Sequence, residues 1–339
     1  MLEFWNLITT KKPFTAADQM IISGTQESNS ELCVVAPIKN RTVLKIAGPD
    51  SAKFMQGQFT CNLQEINGTQ FRLGACCNAK GRMIANFTLS KHGDEFLMAI
   101  DESLAEPLQT HLKKYKVFFK TEIQTSDYVM AGIKGLNASA LLTDTLGGCP
   151  NQDFGQYSFD QGIVTQLPYN AGYEIWLAPE SAEEIIEQLI SKASFADDQF
   201  WPLNLITHGL GQLTLENTEL HIPQMLNLDL IGGISFSKGC YTGQEIVARM
   251  QYLGKSKRNM YLVSVNAEVA IADEIFTADS KSAVGVIINA QTIGSASTAL
   301  AVMENKHIGA SLFLATNLGN SVQLLSLPYN PKNDSQDTD

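Results

Sequence analysis

The segment from Lys238 to Glu245 contains Cys240, a residue that its neighbours could turn into a nucleophile. Thr242 and Glu245 have the spacing of a capping box, which closes the first turn of a helix. Cys240 would then lie just outside the positive end of that helix, where backbone amides and the Lys238 ammonium stabilise a thiolate. The spacing therefore predicts a nucleophilic or redox-active thiol on a loop. The other residues of the segment are Gly239, Tyr241, Gly243 and Gln244.

A second interpretation of Cys240 stays open, because cysteine is also a common buried and inert residue. The six cysteines are Cys33, Cys61, Cys76, Cys77, Cys149 and Cys240, and the chain has five histidines. No CxxC pair occurs, so the sequence predicts neither a zinc nor an iron–sulfur site, and no metal is expected. Reduced thiols are the simplest interpretation, and they favour a cytoplasmic protein.

Four cations lie close together downstream of the cysteine, at Arg249, Lys255, Lys257 and Arg258. They could clamp phosphate or polyglutamate groups, or they could bind RNA. They could equally form a solvated surface at a domain junction. The formal net charge of −11 argues against strong direct binding of tRNA.

The composition of the chain is that of a folded protein. It has 339 residues, of which 44% are hydrophobic and 17% are charged, and this length is typical of two or three domains. No apolar run reaches about 18 residues, so no membrane-spanning helix is expected. The first residues lack the basic start and apolar stretch of a secretory signal. The expected protein is soluble and has no membrane partner.

The order of helical and strand patterns predicts an α+β protein with two related sheet domains and a small C-terminal β-barrel or sandwich. Predicted strands lie at 42–47, 83–89, 95–100, 117–123, 128–133, 173–177, 261–265, 283–288, 299–302 and 321–325. Apolar residues at helical spacing predict helices from Ser51 (with Met55, Phe59 and Leu63 on one face), from Leu104 to Tyr115, from Ala138 to Leu146 and from Ser181 to Lys192. Polar residues predict a loop at 25–31 and a frayed tail at 331–339.

Several separated segments carry a resemblance to a known family. The core is residues 238–245, which lie within the longer matching stretch 222–249. Supporting matches are Gln56-Gly-Gln-Phe-Thr60, Cys77-Asn-Ala-Lys-Gly-Arg82 and Lys113-Lys-Tyr-Lys-Val-Phe118. Together they resemble YgfZ-type folate-binding proteins, which are similar to the glycine-cleavage aminomethyltransferase. The resemblance covers roughly residues 40–330 and is weakest over 135–195.

This resemblance implies a three-domain, ring-like fold with two α+β domains and a C-terminal β-barrel. The expected domains are 1–112 with about 222–255, then 113–221, then 256–330. Tetrahydrofolate or a one-carbon derivative would bind in the central channel. The implied function is support of iron–sulfur enzymes, including those that thiomethylate tRNA, with a link to the control of replication initiation. The signature cysteine, Cys240, is required for that function in the family.

Three residues are candidates for contact with the folate. Arg41 stands where family members can carry an aromatic residue, and its guanidinium could stack on a ring or pair with a carboxylate. Trp201 matches a second family aromatic, although ordinary core packing explains a tryptophan equally well. Glu174 lies in a segment that resembles the aminomethyltransferase strand whose carboxylate pairs with the pterin edge. A glutamate on an alternating strand can also simply face solvent.

The resemblance also bears on catalysis. In the aminomethyltransferase pattern two acids stand where this chain has Ala85 and Asn86, and neither replacement can take a proton at neutral pH. We therefore expect no glycine-cleavage chemistry. Two alternatives to a maintenance factor for iron–sulfur enzymes stay open: a folate-dependent one-carbon transferase or demethylase on another substrate, and a direct RNA-binding module.

Overall fold

The structure is a computed structural model that describes residues 2–14, 33–253, 256–314 and 317–331, without the side chains of 252, 253 and 317–319. Three features expected from the sequence lie outside the described residues. They are the polar loop at 25–31, Lys255 of the basic cluster and residues 332–339 of the tail.

The helices and strands are numbered here in chain order. The helices are α1 (Leu2–Lys11), α2 (Ser51–Gln56), α3 (Ala105–Lys113), α4 (Ala138–Leu146), α5 (Pro179–Ser191), α6 (Phe200–Thr207) and α7 (Gln244–Leu253). The strands are β1 (Val34–Pro37), β2 (Arg41–Ala47), β3 (Arg72–Cys77), β4 (Met83–His92), β5 (Glu95–Asp101), β6 (Glu122–Ser126), β7 (Val129–Lys134), β8 (Gln156–Phe159), β9 (Gly162–Gln166), β10 (Tyr173–Leu177), β11 (Ser194–Phe195), β12 (Arg258–Val265), β13 (Glu274–Thr277), β14 (Gly285–Ile293), β15 (Ala296–Glu304), β16 (Leu312–Leu314) and β17 (Asn317–Leu325). Short 3-10 turns occupy Leu63–Glu65, Glu102–Leu104, Lys116–Phe118, Pro223–Leu226 and Asn305–His307.

The chain divides into two compact units, each made of separated segments. The first unit is Met1–Met55, Asn62–Arg72 and Phe87–Pro202, and the second unit is Gln56–Cys61, Leu73–Asn86 and Leu203–Asp339. The three-domain boundaries expected from the family stay a prediction.

The first unit contains a six-stranded sheet in the order β11-β1-β7-β10-β9-β8. Its strands share one hydrophobic core with α1, α4 and α5, to which Trp5, Leu142 and Ile186 contribute. Tyr173 and Ile175 of β10 also belong to this core. Because side chains alternate along a strand, Glu174 between them points to the opposite face of the sheet. A second antiparallel ladder of this unit joins β5 to β2 and β2 to β6.

The second unit ends in a closed six-stranded barrel, β12-β15-β14-β13-β16-β17. Inward-facing residues at every second position of β12, such as Tyr261, Val263 and Val265, join its core. A register shift between Ile287 and Asn289 interrupts the pairing of β14 with β15, and such bulges bend a strand. The predicted α+β class with a C-terminal β-barrel is confirmed.

Two predicted elements were wrong. The strand expected at 117–123 is a 3-10 turn at Lys116–Phe118, and β6 begins only at Glu122. The turn directs Phe119 inward, where its ring centroid lies 5.4 Å from the ring centroid of Phe54. The Lys116 ammonium donates a hydrogen bond to the backbone oxygen of Thr121 at 3.2 Å. Contacts of this kind determine where the strand begins, and the alternation of residue types along the chain does not reveal them.

The helical stripe of Met55, Phe59 and Leu63 is the second error. Helix α2 ends at Gln56, and Phe59 forms an isolated antiparallel bridge with Cys76. An apolar residue every four positions is typical of a helix. Here Phe59 belongs to an extended segment, and its side chain is nevertheless buried.

The described residues contain no helix long and apolar enough to cross a membrane. Across the same residues, no group of three or more His, Cys, Asp or Glu side chains could hold a metal ion.

Candidate functional site

The signature loop, defined here as Lys238–Glu245, is anchored in the second unit by a buried lysine. Lys238 is 9% exposed. Its ammonium donates to the backbone oxygens of Gln56 at 2.8 Å, Phe59 at 2.6 Å and Cys61 at 2.8 Å. An ammonium has three N–H donors, so these carbonyls use all of them. The sequence suggested that Lys238 acts on the thiol, whereas its hydrogen bonds hold the base of the loop.

Burial sets the ionisation of this anchor. It lowers the pKa of Lys238 to about 8, because removing an ammonium from water disfavours its charged form. The Tyr241 ring, whose centroid is 5.1 Å from the ammonium, offers a cation–π contact that partly offsets this effect. Tyr241 itself is buried, and burial raises the pKa of its hydroxyl well above the usual range. Both groups therefore stabilise the loop from inside.

Cys240 lies on the outside of this anchored loop. All six cysteines are among the described residues and all are free thiols. Four are buried, Cys149 is half-buried and Cys240 is exposed. Gly239 beside it has open space where a side chain would be, so another molecule can approach the sulfur closely. The loop thus presents one thiol to solvent.

The capping box expected at Thr242 and Glu245 was wrong. Helix α7 begins at Gln244, and the Val247 amide donates to the Gly243 oxygen at 3.4 Å. The Thr242 hydroxyl instead donates to the Gln58 side-chain oxygen at 3.3 Å. Cys240 therefore precedes the helix by four residues. The influence of the helix dipole is strongest within the first turn, so it is weaker at the sulfur than the sequence suggested.

Two glycines bring another segment of the family resemblance against the start of α7. Gly243 has φ +84, and a Cβ there would lie 2.5 Å from the Asn78 oxygen. A Cβ on Gly81 would lie 2.8 Å from the Cβ of Ile246. The second unit thus packs residues 56–61 and 77–82 against the signature loop and the start of α7, although these segments are distant in sequence.

The three predicted folate contacts also meet one another, inside the first unit. The Arg41 guanidinium lies 2.6 Å from the Glu174 carboxylate, which also accepts from the indole N–H groups of Trp201 at 3.2 Å and Trp176 at 3.3 Å. Arg41 is 3% exposed, and Glu174 is fully buried. Glu174 pairs with Gly132 across β10 and β7. Any Cβ on Gly132 would overlap the Trp201 ring, so the ring lies flat on that backbone.

This cluster is a closed network rather than an open receptor. Both carboxylate oxygens of Glu174 already accept hydrogen bonds, and Trp201 is 1% exposed. A buried ion pair is stable only when such partners surround it. As they stand, the three side chains do not fit a pterin edge, which needs a free acceptor. Their contact with folate stays a prediction that requires Arg41 to leave Glu174.

Comparison with known proteins identifies the family. Residues 31–198 match the family model of the GCVT N-terminal domain. The chain is 32% identical to the tRNA-modifying protein YgfZ of Shigella boydii serotype 4, over 84% of this chain and 89% of that protein. It is 36% identical to the protein of the same name from Aliivibrio fischeri strain MJ11, over 68% of this chain and 70% of that protein. The chain belongs to the YgfZ family.

The structural comparison agrees with this assignment. The glycine cleavage system aminomethyltransferase T from Bartonella henselae aligns with a TM-score of 0.69 at 15% identity, over 89% of this chain and 87% of that one. At that identity the likeness shows the fold alone. The chain therefore has an aminomethyltransferase fold, as its sequence predicted.

The two positions where this chain lacks the acids of the aminomethyltransferase pattern have structural roles. Ala85 is fully buried. The Asn86 side-chain amide donates to the Gly211 oxygen at 2.7 Å, and its oxygen accepts from the Leu213 amide at 2.8 Å. A carboxylate could accept the second bond but not donate the first. Asn86 is thus matched to its surroundings as an amide.

The basic cluster after the signature loop is partly neutralised. The Arg258 guanidinium lies 2.7 Å from the Glu304 carboxylate, and its hydrogen bond, with that of Lys306, lowers the pKa of Glu304 to about 2. Arg249 and Lys257 are exposed. The cluster is therefore weaker as an anion site than its sequence suggested.

Sequence reasoning missed the partners of the signature loop. The carbonyls of Gln56, Phe59 and Cys61, and the side chain of Gln58, come from a segment noted only for its resemblance to the family. The available signal was that resemblance itself. Backbone oxygens leave no trace in side-chain identity, so the anchoring of Lys238 needed the structure.

Proposed function

We propose that this chain is a folate-dependent factor for tRNA modification, acting through iron–sulfur enzymes that thiomethylate tRNA, with Cys240 as its functional thiol. The curated relatives are named as tRNA-modifying proteins. The observation that carries the proposal is the exposed Cys240 on a loop held by the buried Lys238 ammonium. A control of replication initiation would follow indirectly from the same role. The free thiols suit the cytoplasm, where we place this activity.

The proposed chemistry at Cys240 requires access and a fixed position. A thiolate is the form that attacks electrophiles or binds soft metals. The anchored loop would hold the sulfur in one place while leaving its outer side free for an enzyme partner. Asn86, matched to its site as an amide, argues against glycine-cleavage chemistry and for this supporting role.

Tetrahydrofolate or a one-carbon derivative is the proposed cofactor, because the GCVT domain match and the aminomethyltransferase fold belong to folate-using proteins. When bound, a folate supplies a carrier for one-carbon groups. Two of the three tryptophans, Trp176 and Trp201, flank Glu174. Titration with 5-formyltetrahydrofolate should therefore change tryptophan emission if the ligand displaces Arg41. Calorimetric binding with unchanged emission would place the folate elsewhere.

Complementation tests the function. In a bacterial strain that lacks its own YgfZ protein, the wild-type chain should restore the thiomethylated tRNA nucleoside, measured by mass spectrometry. Cys240→Ala should abolish this restoration while leaving protein level and folate affinity unchanged. Cys149→Ala is the matched control, because it removes a half-buried thiol elsewhere. Full restoration by Cys240→Ala would refute the thiol's role, and failure of the wild type would refute the function.

A further inference from the structure

A lysine-rich surface of the first unit has no role in the sites described above. We define the lysine surface as Lys113, Tyr115, Lys116, Val117, Phe118 and Lys120. Lys113, Lys116 and Lys120 line a cavity of about 590 Å³, together with Gly48, Pro49 and Glu122. This volume lies within the range of small-ligand clefts. It lies at the 3-10 turn where the sequence predicted a strand.

The charge of this surface opposes that of the whole chain. Residues 113–120 carry four lysines and no acid, in a chain with a formal net charge of −11. Among the described residues, the ammonium groups of Lys113 and Lys120 form no ion pair or hydrogen bond, and both side chains are exposed. Lys116 donates to the Thr121 oxygen. The Glu122 carboxylate lines the same cavity, and the Asp50 carboxylate accepts from the Lys120 backbone amide at 2.8 Å. The cavity therefore keeps a positive balance.

Aromatic and apolar side chains stand among these cations. Phe118 is 92% exposed and Val117 is 74% exposed, while the neighbouring Phe119 packs inward on Phe54. Tyr115 is 38% exposed. A phenyl ring left almost entirely in water gains nothing from folding. The ring is therefore open to a planar partner, and Lys116 and Lys120 flank Phe118 in the sequence.

We infer that the lysine surface binds a single-stranded RNA segment, such as a tRNA loop, with phosphates at Lys113, Lys116 and Lys120 and a base stacked on Phe118. This inference rests on the proposed function in tRNA modification and names where that RNA is held. Basic grooves with exposed aromatic side chains are the usual means of binding single strands. The apolar part of the lysine surface comprises only Tyr115, Val117 and Phe118. A stable protein interface uses about 20–30 residues on each side. RNA therefore suits the surface better than a protein partner does.

Fluorescence anisotropy with a labelled 12-nucleotide single-stranded RNA tests the inference. Each neutralised phosphate of a single strand contributes about −0.7 to the slope of log K against log salt, so three contacts predict a slope of about −2. The double variant Lys113→Glu/Lys120→Glu should weaken binding more than tenfold and flatten the slope toward about −0.7. Lys192→Glu/Lys281→Glu reverses two other exposed lysines with the same net charge, and it should bind like the wild type.

A second variant separates stacking from simple attraction of anions. Phe118→Ala should weaken RNA binding roughly tenfold, within the range for loss of one stacked base, and should leave binding of heparin, which has no bases, unchanged. The inference would be overturned if Lys192→Glu/Lys281→Glu weakened RNA binding as much as Lys113→Glu/Lys120→Glu does. It would also be overturned if Lys113→Glu/Lys120→Glu left the RNA affinity unchanged.

The same variants distinguish an RNA from a protein partner. If Phe118→Ala weakened pull-down of a tRNA-modifying enzyme and left RNA binding unchanged, the surface would be assigned to a protein. Thiomethylation of tRNA in the complementation strain is measured separately. If the wild-type chain restored thiomethylation but bound no RNA, the RNA-binding role of the lysine surface would be rejected and the proposed function would stand.

Discussion

Cys240 differs from the other cysteines in its surroundings rather than in its identity. Burial raises the pKa of Cys33 to about 11 and that of Cys77 to about 12, and it holds the pKa of Cys76 well above the usual range. Those thiols stay protonated and enclosed at neutral pH, and only a thiolate reacts readily. Exposure leaves Cys240 as the thiol that a reagent can reach.

Thiol alkylation should therefore be dominated by one residue. In the native protein at pH 7.5, iodoacetamide should modify Cys240 at least tenfold faster than any other cysteine, as measured by peptide mass spectrometry over time. Cys240→Ala should remove the fast phase, and Cys149→Ala should preserve it. After unfolding in urea, all six thiols should react at similar rates. A fast phase that survives in Cys240→Ala would contradict the exposure argued here.

The structure predicts that Lys238 contributes to stability, whereas the sequence suggested that it acts on the Cys240 thiol. If its ammonium mainly holds three carbonyls, Lys238→Met should lower the free energy of unfolding by about 2 kcal/mol, because buried acceptors lose their donors. The exposed Lys80 lies in the same unit, and Lys80→Met should change stability by less than about 0.5 kcal/mol. Urea unfolding measures both. An unchanged stability together with an altered pH profile of Cys240 alkylation would restore the electrostatic interpretation.

At the scale of helices and strands, the sequence predicted most elements and failed where distant contacts decide. The strands β2, β4, β5 and β10, the helix α4 and the barrel strands β12, β14, β15 and β17 followed from alternation and helical spacing, whereas the short barrel strands β13 and β16 were not predicted. The 3-10 turn at Lys116–Phe118 and the start of α7 at Gln244 did not, because Phe54 and Gln58 fix them from elsewhere in the chain. The site shows the same division. Cys240 was found from its motif, whereas the carbonyls that anchor Lys238 have no side-chain signal.

The turn into α7 gives a test at this scale. Gly243→Ala should lower the free energy of unfolding by at least about 2 kcal/mol, because a residue with a side chain is strained at φ +84 and its Cβ would lie 2.5 Å from the Asn78 oxygen. Gly239→Ala is the matched control in the same loop, because no atom lies within 4 Å of its added Cβ. Chemical denaturation compares the two variants. Equal losses of stability in the two variants would contradict the open space found beside Gly239.

At the scale of the molecule, the balance of charge connects composition to function. A chain with a net charge of −11 repels a polyanion in general, so any contact with RNA must be local and sensitive to salt. The basic cluster after the signature loop is weakened by Glu304 at Arg258, whereas Lys113 and Lys120 are unpaired among the described residues. Charge placement, which composition cannot reveal, thus favours one surface over another.

Two groups of the second unit, the buried His221 and the half-buried Asp229, oppose each other as the pH changes. Burial, with the charges of Arg82 and Arg258, lowers the pKa of His221 to about 4. Burial raises the pKa of Asp229 to about 6. As pH falls from about 6.5 toward 4, the unfolded chain protonates His221 and the folded chain does not, so stability is lost. Over nearly the same window the folded chain protonates Asp229 before the unfolded chain does, so stability is gained.

The two effects should nearly cancel in the wild type and appear when one group is removed. Between pH 7 and pH 5, Asp229→Asn should lose about 1 kcal/mol of unfolding free energy relative to the wild type, because the gain from Asp229 is absent. His221→Gln should gain about 2 kcal/mol relative to the wild type over the same interval, because the loss from His221 is absent. Taking each variant relative to the wild type removes the titration of all the other acids, which the three proteins share. Urea unfolding at half-unit pH steps measures the three curves. Parallel curves would mean that neither group titrates differently in the folded state, and that burial in this unit leaves both side chains open to water.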